Sequence, residues 1–257
     1  MDSGKTVITG AVLRTTDTKE ADKILTVLSP QLGKIPVIAR GARRKNSRLA
    51  AACQLLAYDE LTVYKRGGWY MLDEASTLEL FPGVRRDIVR LSLASWFAEL
   101  TEAVCPEEAP APELASLLLN GLYALCYLDK DPALVKTAFQ WRLMALAGFQ
   151  PFVDGCAVCG AEEPAAPMLD VVHGVVRCGG CKGGGGLSLP LTAAGLAALR
   201  YILYGDAKRL YSFALPQPGL RALDHASDAY VTAQLERSFR TLDYYKSILP
   251  QEETKYE

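Results

Sequence analysis

Two Cys-x-x-Cys pairs, Cys156-Ala157-Val158-Cys159 and Cys178-Gly179-Gly180-Cys181, stand 18 residues apart, while Cys53, Cys105 and Cys126 are scattered singly through apolar stretches. Two residues between ligands let one tight turn aim both sulfurs at a single ion, and two such pairs supply the four thiolates of a tetrahedral zinc site at about 2.3 Å. Gly160 and Gly179 give each pair its knuckle. Disulfides or a thioredoxin-like redox pair compete with this reading; a redox site needs one pair inside a βαβ pattern, and two matched pairs favour a metal. Four cysteines leave no coordination position for water. One structural Zn2+ is therefore expected on Cys156, Cys159, Cys178 and Cys181, with no catalytic role.

With 257 residues, 50% hydrophobic and 22% charged, the chain can bury one large core or two modest ones. Met1 to Gly10 lacks a secretory signal pattern, and no apolar run reaches the roughly 18 residues of a membrane span. Seven cysteines, an odd number, suit a reducing compartment, so a cytoplasmic protein with no membrane partner is expected. The net charge of −1 conceals a polarity: residues 1–66 hold 12 Lys and Arg against 6 Asp and Glu, and the remainder 16 against 23. Lys34, Arg40, Arg43, Arg44, Lys45 and Arg48 fall within 15 residues containing no acid. Such a run is the footprint of polyanion binding, although a solvated face would read the same way.

Short β-branched and aromatic runs at Val7–Leu13, Lys23–Leu28, Ile35–Ala39, Leu61–Lys65 and Tyr70–Glu74 are separated by turn signals such as Ser29-Pro30, Gly41 and Gly67-Gly68. Five strands in about 75 residues predict a small barrel. The long connection Ala42 to Ala57 carries most of the basic cluster and then an apolar stretch able to cross the barrel bottom. This is the layout of an OB-fold, whose strand face and loops bind oligonucleotides; an SH3-like barrel is the alternative. Tyr58, Tyr64, Trp69 and Tyr70 are candidates for base stacking or for barrel core.

Beyond Pro82-Gly83 the period turns helical. One helix runs through Ile88, Leu91, Ser95, Leu100 and Val104, a second starts at Pro112-Glu113, and a third is capped by Asp131-Pro132 and stops at Gly148. Thr192 caps a helix to Tyr204, and a final helix spans about Ser227 to Leu249, with His225 just before it. The fold class is therefore α+β: an N-terminal OB-fold barrel (1–80), then an all-α domain (81–152 and 190–250) with an inserted four-cysteine zinc motif (153–189). Gly183 to Gly186 form a glycine run without the GxxxxGK[ST] of a phosphate loop, and read as an arm of the cysteine loop. His173 reads as a surface residue. No Ser/His/Asp or Cys/His set is apparent, and Glu107-Glu108 and Glu162-Glu163 read as solvated charge. No catalytic residue and no small-molecule substrate are expected.

The segments Thr18-Lys19-Glu20-Ala21-Asp22-Lys23-Ile24-Leu25-Thr26-Val27-Leu28-Ser29, Gly33-Lys34 and Ile38-Ala39-Arg40-Gly41-Ala42-Arg43-Arg44-Lys45 are followed by Phe139-Gln140-Trp141-Arg142-Leu143-Met144, Ala147-Gly148-Phe149-Gln150-Pro151, the four cysteines and Arg240 to Leu249. In that order they resemble the RecO family of bacterial DNA repair proteins over nearly the whole chain. The resemblance implies a recombination mediator that binds single- and double-stranded DNA, anneals complementary strands and, with RecR, helps load RecA on gaps coated by single-stranded DNA-binding protein, whose acidic C-terminal tail it recognises. Lys34, Arg40, Arg43, Arg44, Lys45 and Arg48 would then neutralise phosphates. Lys136 and Arg142, beside Phe139 and Leu143 on the third helix, would receive the acidic tail, with Arg85, Arg86 and Arg90 as the alternative place. An RNA-binding transcription or translation factor with a zinc ribbon, and a Cys156/Cys159 thiol-redox protein, are the readings that remain beside this one.

Overall fold

In the computed structural model, residues 4–183 and 185–249 are described; Met1 to Ser3, Gly184 of the glycine run and Pro250 of the expected helical domain lie outside the described residues. The first five strands are β1 (Thr6–Thr18), β2 (Asp22–Ser29), β3 (Gly33–Ala39), β4 (Tyr58–Arg66) and β5 (Trp69–Glu79), closed in the order β1-β2-β3-β5-β4. Pairing is antiparallel except between β3 and β5, which meet in parallel at Val37–Tyr70 and Ile38–Met71. This is the OB-fold order rather than that of an SH3-like barrel. β1 and β5 run five residues further than the apolar pattern predicted, because threonines and charged residues at their ends continue the ladder outside the core, as Asp17–Lys23 and Glu60–Ser76 do.

β1 serves two sheets. Thr6–Ala11 pair with β4 and Ala11–Thr18 with β2, and a register shift between Val12 and Arg14 bends the strand between them. Ile8 and Val12 therefore enter the barrel core, whereas Ala11 and Leu13 turn toward the helices. The Ala42–Ala57 connection crosses one end of the barrel as expected: Ala42, Cys53 and Ala57 join its core, Lys23 Nζ donates to Cys53 O at 3.2 Å, and Leu56 N donates to Val12 O at 2.8 Å.

The helical half contains a single turn, α1 (Pro82–Arg85), then α2 (Ile88–Val104), α3 (Pro112–Tyr127) and α4 (Pro132–Leu146). A three-stranded sheet, β6 (Met168–Asp170), β7 (Val175–Arg177) and β8 (Ser188–Pro190), precedes α5 (Ala193–Tyr204), α6 (Gln217–Leu235) and α7 (Arg240–Ile248). Local signals decide most ends: Asp131 accepts from Ala133 N at 2.9 Å, Thr192 from Gly195 N at 2.9 Å, and Gly148, at φ +91°, turns the chain out of α4.

The single final helix expected over Ser227–Leu249 is in fact two. α6 starts ten residues earlier, since Pro218 in a first helical turn does not break a helix, and His225 lies inside it. It ends at Glu236, left-handed at φ +51°, which allows Phe239 to bury itself edge-on against Trp96 at 4.8 Å before α7 begins.

α4 is buried on every side, from Leu134 to Met144 apart from Arg142. Lys136 and Gln140 find their partners inside the domain, whereas Trp141 Nε1 is buried without one. Trp96 Nε1 donates to Gln140 Oε1 at 3.1 Å, Gln140 Nε2 to Ser227 Oγ at 3.1 Å and to Asp228 Oδ1 at 3.0 Å, and Lys136 Nζ lies 2.8 Å from Asp224 and 2.7 Å from Asp228.

Besides the core inside the barrel, a second apolar core joins one side of the barrel to the helices. Ala11, Leu13, Leu28 and Leu56 cluster with α2 to α7, Val153 and the sheet residues Leu169 and Val176. Gly33 seals the junction: its φ is +67°, and a Cβ there would stand 2.0 Å from Ala109 O. Flanking it, Lys34 N donates to Pro106 O at 3.1 Å and Glu108 N to Lys34 O at 3.2 Å. Among the described residues no helix is long and apolar enough to cross a membrane.

Candidate metal centre and nucleic-acid interface

The four cysteines converge. Cys156 and Cys181 Sγ are 3.8 Å apart, Cys159 and Cys178 Sγ 3.9 Å, and all four sulfurs lie within 4.8 Å of one another. Ligands about 2.3 Å from one ion define a tetrahedron with edges of roughly 3.8 Å, whereas a disulfide requires about 2.05 Å. Each pair forms a knuckle: Gly160 N donates to Cys156 O at 2.9 Å with Gly160 at φ +75°, and Cys181 N donates to Cys178 O at 3.1 Å. The amides of Cys159 and Cys178 point at Cys156 Sγ at 3.5 and 3.3 Å and hold that thiol down to about 6. Hydrogen bonding with Cys159 and then burial push Cys181 up to about 12. A set of four thiol ligands so placed could hold a metal ion, whose charge would offset that of the thiolates.

The surroundings hold the knuckles in place. Arg177 Nη1 donates to Cys181 O at 2.7 Å; Arg200 donates to Val153 O at 2.9 Å and Glu162 O at 2.7 Å and pairs with Glu163 at 2.7 Å, tying the first knuckle to α5. His173 is exposed and sits 2.9 Å from Asp170, outside the cysteine cluster.

The basic run divides in two. Arg40, Arg44, Lys45 and Arg48 are exposed, and among the described residues none has an ion-pair or hydrogen-bond partner for its side chain. Arg43 is an anchor instead. It pairs with Asp17 at 3.2 Å and its backbone N donates to Ala21 O at 2.9 Å, while Gly41 N donates to Asp22 Oδ1 at 2.8 Å, so the basic loop is fastened to the β1–β2 turn. Lys34 is not brought to this loop at all. It stands at the opposite end of β3, about 20 Å along the strand, where its half-buried ammonium meets Glu102 O at 3.0 Å and Glu107 at 3.6 Å. Of the aromatics, Tyr70 belongs to the barrel core, Tyr58 and Tyr64 are half-buried, and Trp69 stands exposed at the β4–β5 turn.

The tail-docking surface expected on the third helix is not accessible. Lys136, Phe139 and Leu143 are each at most 1% exposed, Lys136 held between two aspartates and Phe139 stacked on Phe97 at 3.8 Å. Only Arg142 reaches an opening. It donates to Leu203 O at 2.7 Å and to Gly205 O, closing the end of α5, and lines an apolar cavity of about 300 Å³ with Leu117, Leu146 and Leu210. At the alternative place, Arg85 and Arg90 are engaged by the carbonyls of Leu55 and Leu125 at 2.6 Å.

A second basic region is formed only by the fold. A crevice of about 700 Å³ opens where β1, α2 and the start of α7 meet, with Arg14, Lys34, Arg237 and Arg240 on its walls. Those cations come from three distant segments, so no local run announces them.

Comparison with known proteins gives consistent results. The family model described as Recombination protein O N terminal matches residues 1–81, and Recombination protein O C terminal matches 85–243. The DNA repair protein RecO of Acetivibrio thermocellus is 31% identical over 239 residues, 93% of this chain and 95% of the relative. That of Symbiobacterium thermophilum is 30% identical over 244 residues, 94% and 96% of the two chains, and that of Anaeromyxobacter dehalogenans strain 2CP-C is 33% identical over 246, 95% and 96%.

Proposed function

Because the chain belongs to the RecO family of DNA repair proteins, we propose that it is a non-enzymatic recombination mediator of the cytoplasm, which binds single- and double-stranded DNA, anneals complementary strands and assists RecR in loading RecA. The observation that carries this is the set of four unpartnered cations, Arg40, Arg44, Lys45 and Arg48, on a loop fastened to an OB-fold barrel. Annealing brings two polyanions together, and cations already free of acidic partners neutralise phosphate without first breaking an ion pair. Trp69 offers an exposed ring for stacking.

The metal in this reading is zinc, on Cys156, Cys159, Cys178 and Cys181. A completed thiolate shell gives it a structural role, joining the two knuckles beneath β6 and β7. The tail of single-stranded DNA-binding protein is assigned to the Arg142 cavity, since Lys136, Phe139 and Leu143 are enclosed and Arg142 alone offers positive charge beside open apolar walls. A cavity of about 300 Å³ suits one terminal apolar side chain. Anisotropy of a labelled acidic peptide with wild type and with Leu146→Glu tests this assignment, Leu146 being at the surface.

The central test is a binding and annealing comparison of single-stranded DNA, duplex and RNA of one sequence. Acceleration of DNA annealing that is lost in Arg44→Ala/Lys45→Ala supports the mediator reading, and exclusive binding of RNA overturns it.

A further inference from the structure

The crevice between barrel and helices is walled by Arg14, Lys34, Arg237 and Arg240 against only two acids, Glu99 and Glu102. Both acids are already occupied. Glu102 is held by Arg14 at 2.9 Å, and Glu99 accepts from Thr241 N at 3.2 Å and stands 3.7 Å from Arg237. Arg240 has no side-chain partner among the described residues and is exposed. The wall thus carries two more positive charges than negative ones, and the cation on its α7 side is free.

One turn further along α7, Tyr244 is 50% exposed, and with Arg240, Ile88 and Leu91 it lines a smaller pocket of about 280 Å³ that shares Ser95, Arg240 and Thr241 with the crevice. At its other end the crevice continues along the outer face of β2 and β3. There Arg14 and Lys34 also line an opening with Thr26 and Pro36; its three acids, Glu102, Glu107 and Glu108, are paired with Arg14, Lys34 and Lys65. An OB-fold receives oligonucleotides on that strand face.

We propose that this crevice is a second track for single-stranded nucleic acid, running from the outer face of β2–β3 across α2 to α7, with phosphate at Arg240 and a base stacked on Tyr244. The inference rests on the nucleic-acid reading above and extends it to a surface made jointly by both halves of the chain. The positive excess of the crevice itself, with Arg240 free, and its continuity with the barrel face identify the occupant. An exposed ring beside a free guanidinium is the pairing that holds single strands irrespective of sequence, because every base has a face to stack and every nucleotide a phosphate.

The test is fluorescence anisotropy of a labelled oligothymidylate with the full chain at several salt concentrations, comparing wild type, Arg240→Ala, Tyr244→Ala and Arg44→Ala/Lys45→Ala. Arg240 and Tyr244 are exposed, so unchanged melting is expected for both variants. Arg240→Ala should make the log–log salt slope less negative by about 0.7, and Tyr244→Ala should weaken binding by about fivefold or more with the slope unchanged. If both variants bind as wild type while the loop variant is weakened, the crevice is not a track and the proposed function stands. If the loop variant also binds as wild type, the nucleic-acid reading itself fails. Should Arg240→Ala abolish binding of an acidic peptide and leave the oligonucleotide unaffected, the crevice is a peptide groove and the track is refuted.

Discussion

The ammonium of Lys136 lies 2.7 Å from a carboxylate oxygen of Asp228 in the interior of the helical domain, with Asp224 at 2.8 Å on its other side. Lys246 reaches the second oxygen of Asp228 at 2.8 Å, so α4, α6 and α7 meet in one charged network. Burial opposes the charge on Lys136, yet the two aspartates outweigh it and raise its pKa. Burial likewise opposes ionisation of Asp228, and Lys136 and Lys246 hold it below the usual carboxylate range.

Removing Lys136 takes away the buried cation that Asp224 and Asp228 share and leaves Asp228 with Lys246. Lys136→Met should destabilise the chain by about 3–5 kcal/mol in urea unfolding near neutral pH. The depressed Asp228 makes its contribution above its unfolded pKa of 3.8 and loses it as pH falls through the folded value; the raised Lys136 makes its contribution below 10.5 and loses it as pH rises through its own. Wild type should therefore lose stability at both acid and alkaline extremes, and the variant less steeply at each. A cost below 1 kcal/mol would refute this account.

Asp59 is fully buried in the barrel, opposite Gly10 and Thr77 in register, and neither carboxylate oxygen has a hydrogen-bond partner. Burial pushes its pKa up to about 6. A raised carboxyl favours the fold below its unfolded pKa and loses that advantage as pH climbs through the folded one. Relative to Asp59→Asn, wild type should lose about 3 kcal/mol between pH 4 and pH 7 and no more above that. Parallel stability curves for the two proteins would overturn it.

Withdrawal of metal should act locally. Chelation, or Cys156→Ser, should lower the melting temperature and expose Leu169 and Val176 to a hydrophobic dye while the barrel keeps its β circular dichroism. Elemental analysis should find one zinc per chain; metal-free protein with unaltered melting would exclude a structural ion.

The basic loop should separate contact from anchorage. Arg44→Ala and Lys45→Ala should each lessen the salt slope for single strands by about 0.7. Arg43→Ala removes the pairing with Asp17 and should weaken binding through loss of loop order, visible as faster proteolysis after Arg44. Lys34→Ala should loosen the barrel–helix junction, measured as a lower melting temperature. Identical effects of Arg43→Ala and Arg44→Ala on both slope and proteolysis would abolish the distinction.

What the sequence disclosed was local chemistry. Cys-x-x-Cys spacing, Asp131-Pro132 and Thr192 each act within four residues, and each is where it was expected. Lys136 was misjudged because its partners lie 88 and 92 positions away, and the same helical spacing fits a cationic rim and a buried ion network equally well. Arg43 and Arg44 are neighbours in one run, but only the β1–β2 turn, folded beneath the loop, makes one an anchor and leaves the other free. The break between α6 and α7 went unread because Glu236 carries no signal for a left-handed turn; burial of Phe239 imposes it.

Leu13, Leu28 and Leu56 belong to the barrel by sequence and to the helical core by packing. Severed near residue 80, the barrel would expose these side chains as a greasy scar, so its two halves do not behave as beads on a string. The molecule is built as a jig: a strand held at both proposed sites would meet the basic loop and the α2–α7 face at one fixed angle, and the work of aligning it would be done when the chain folds.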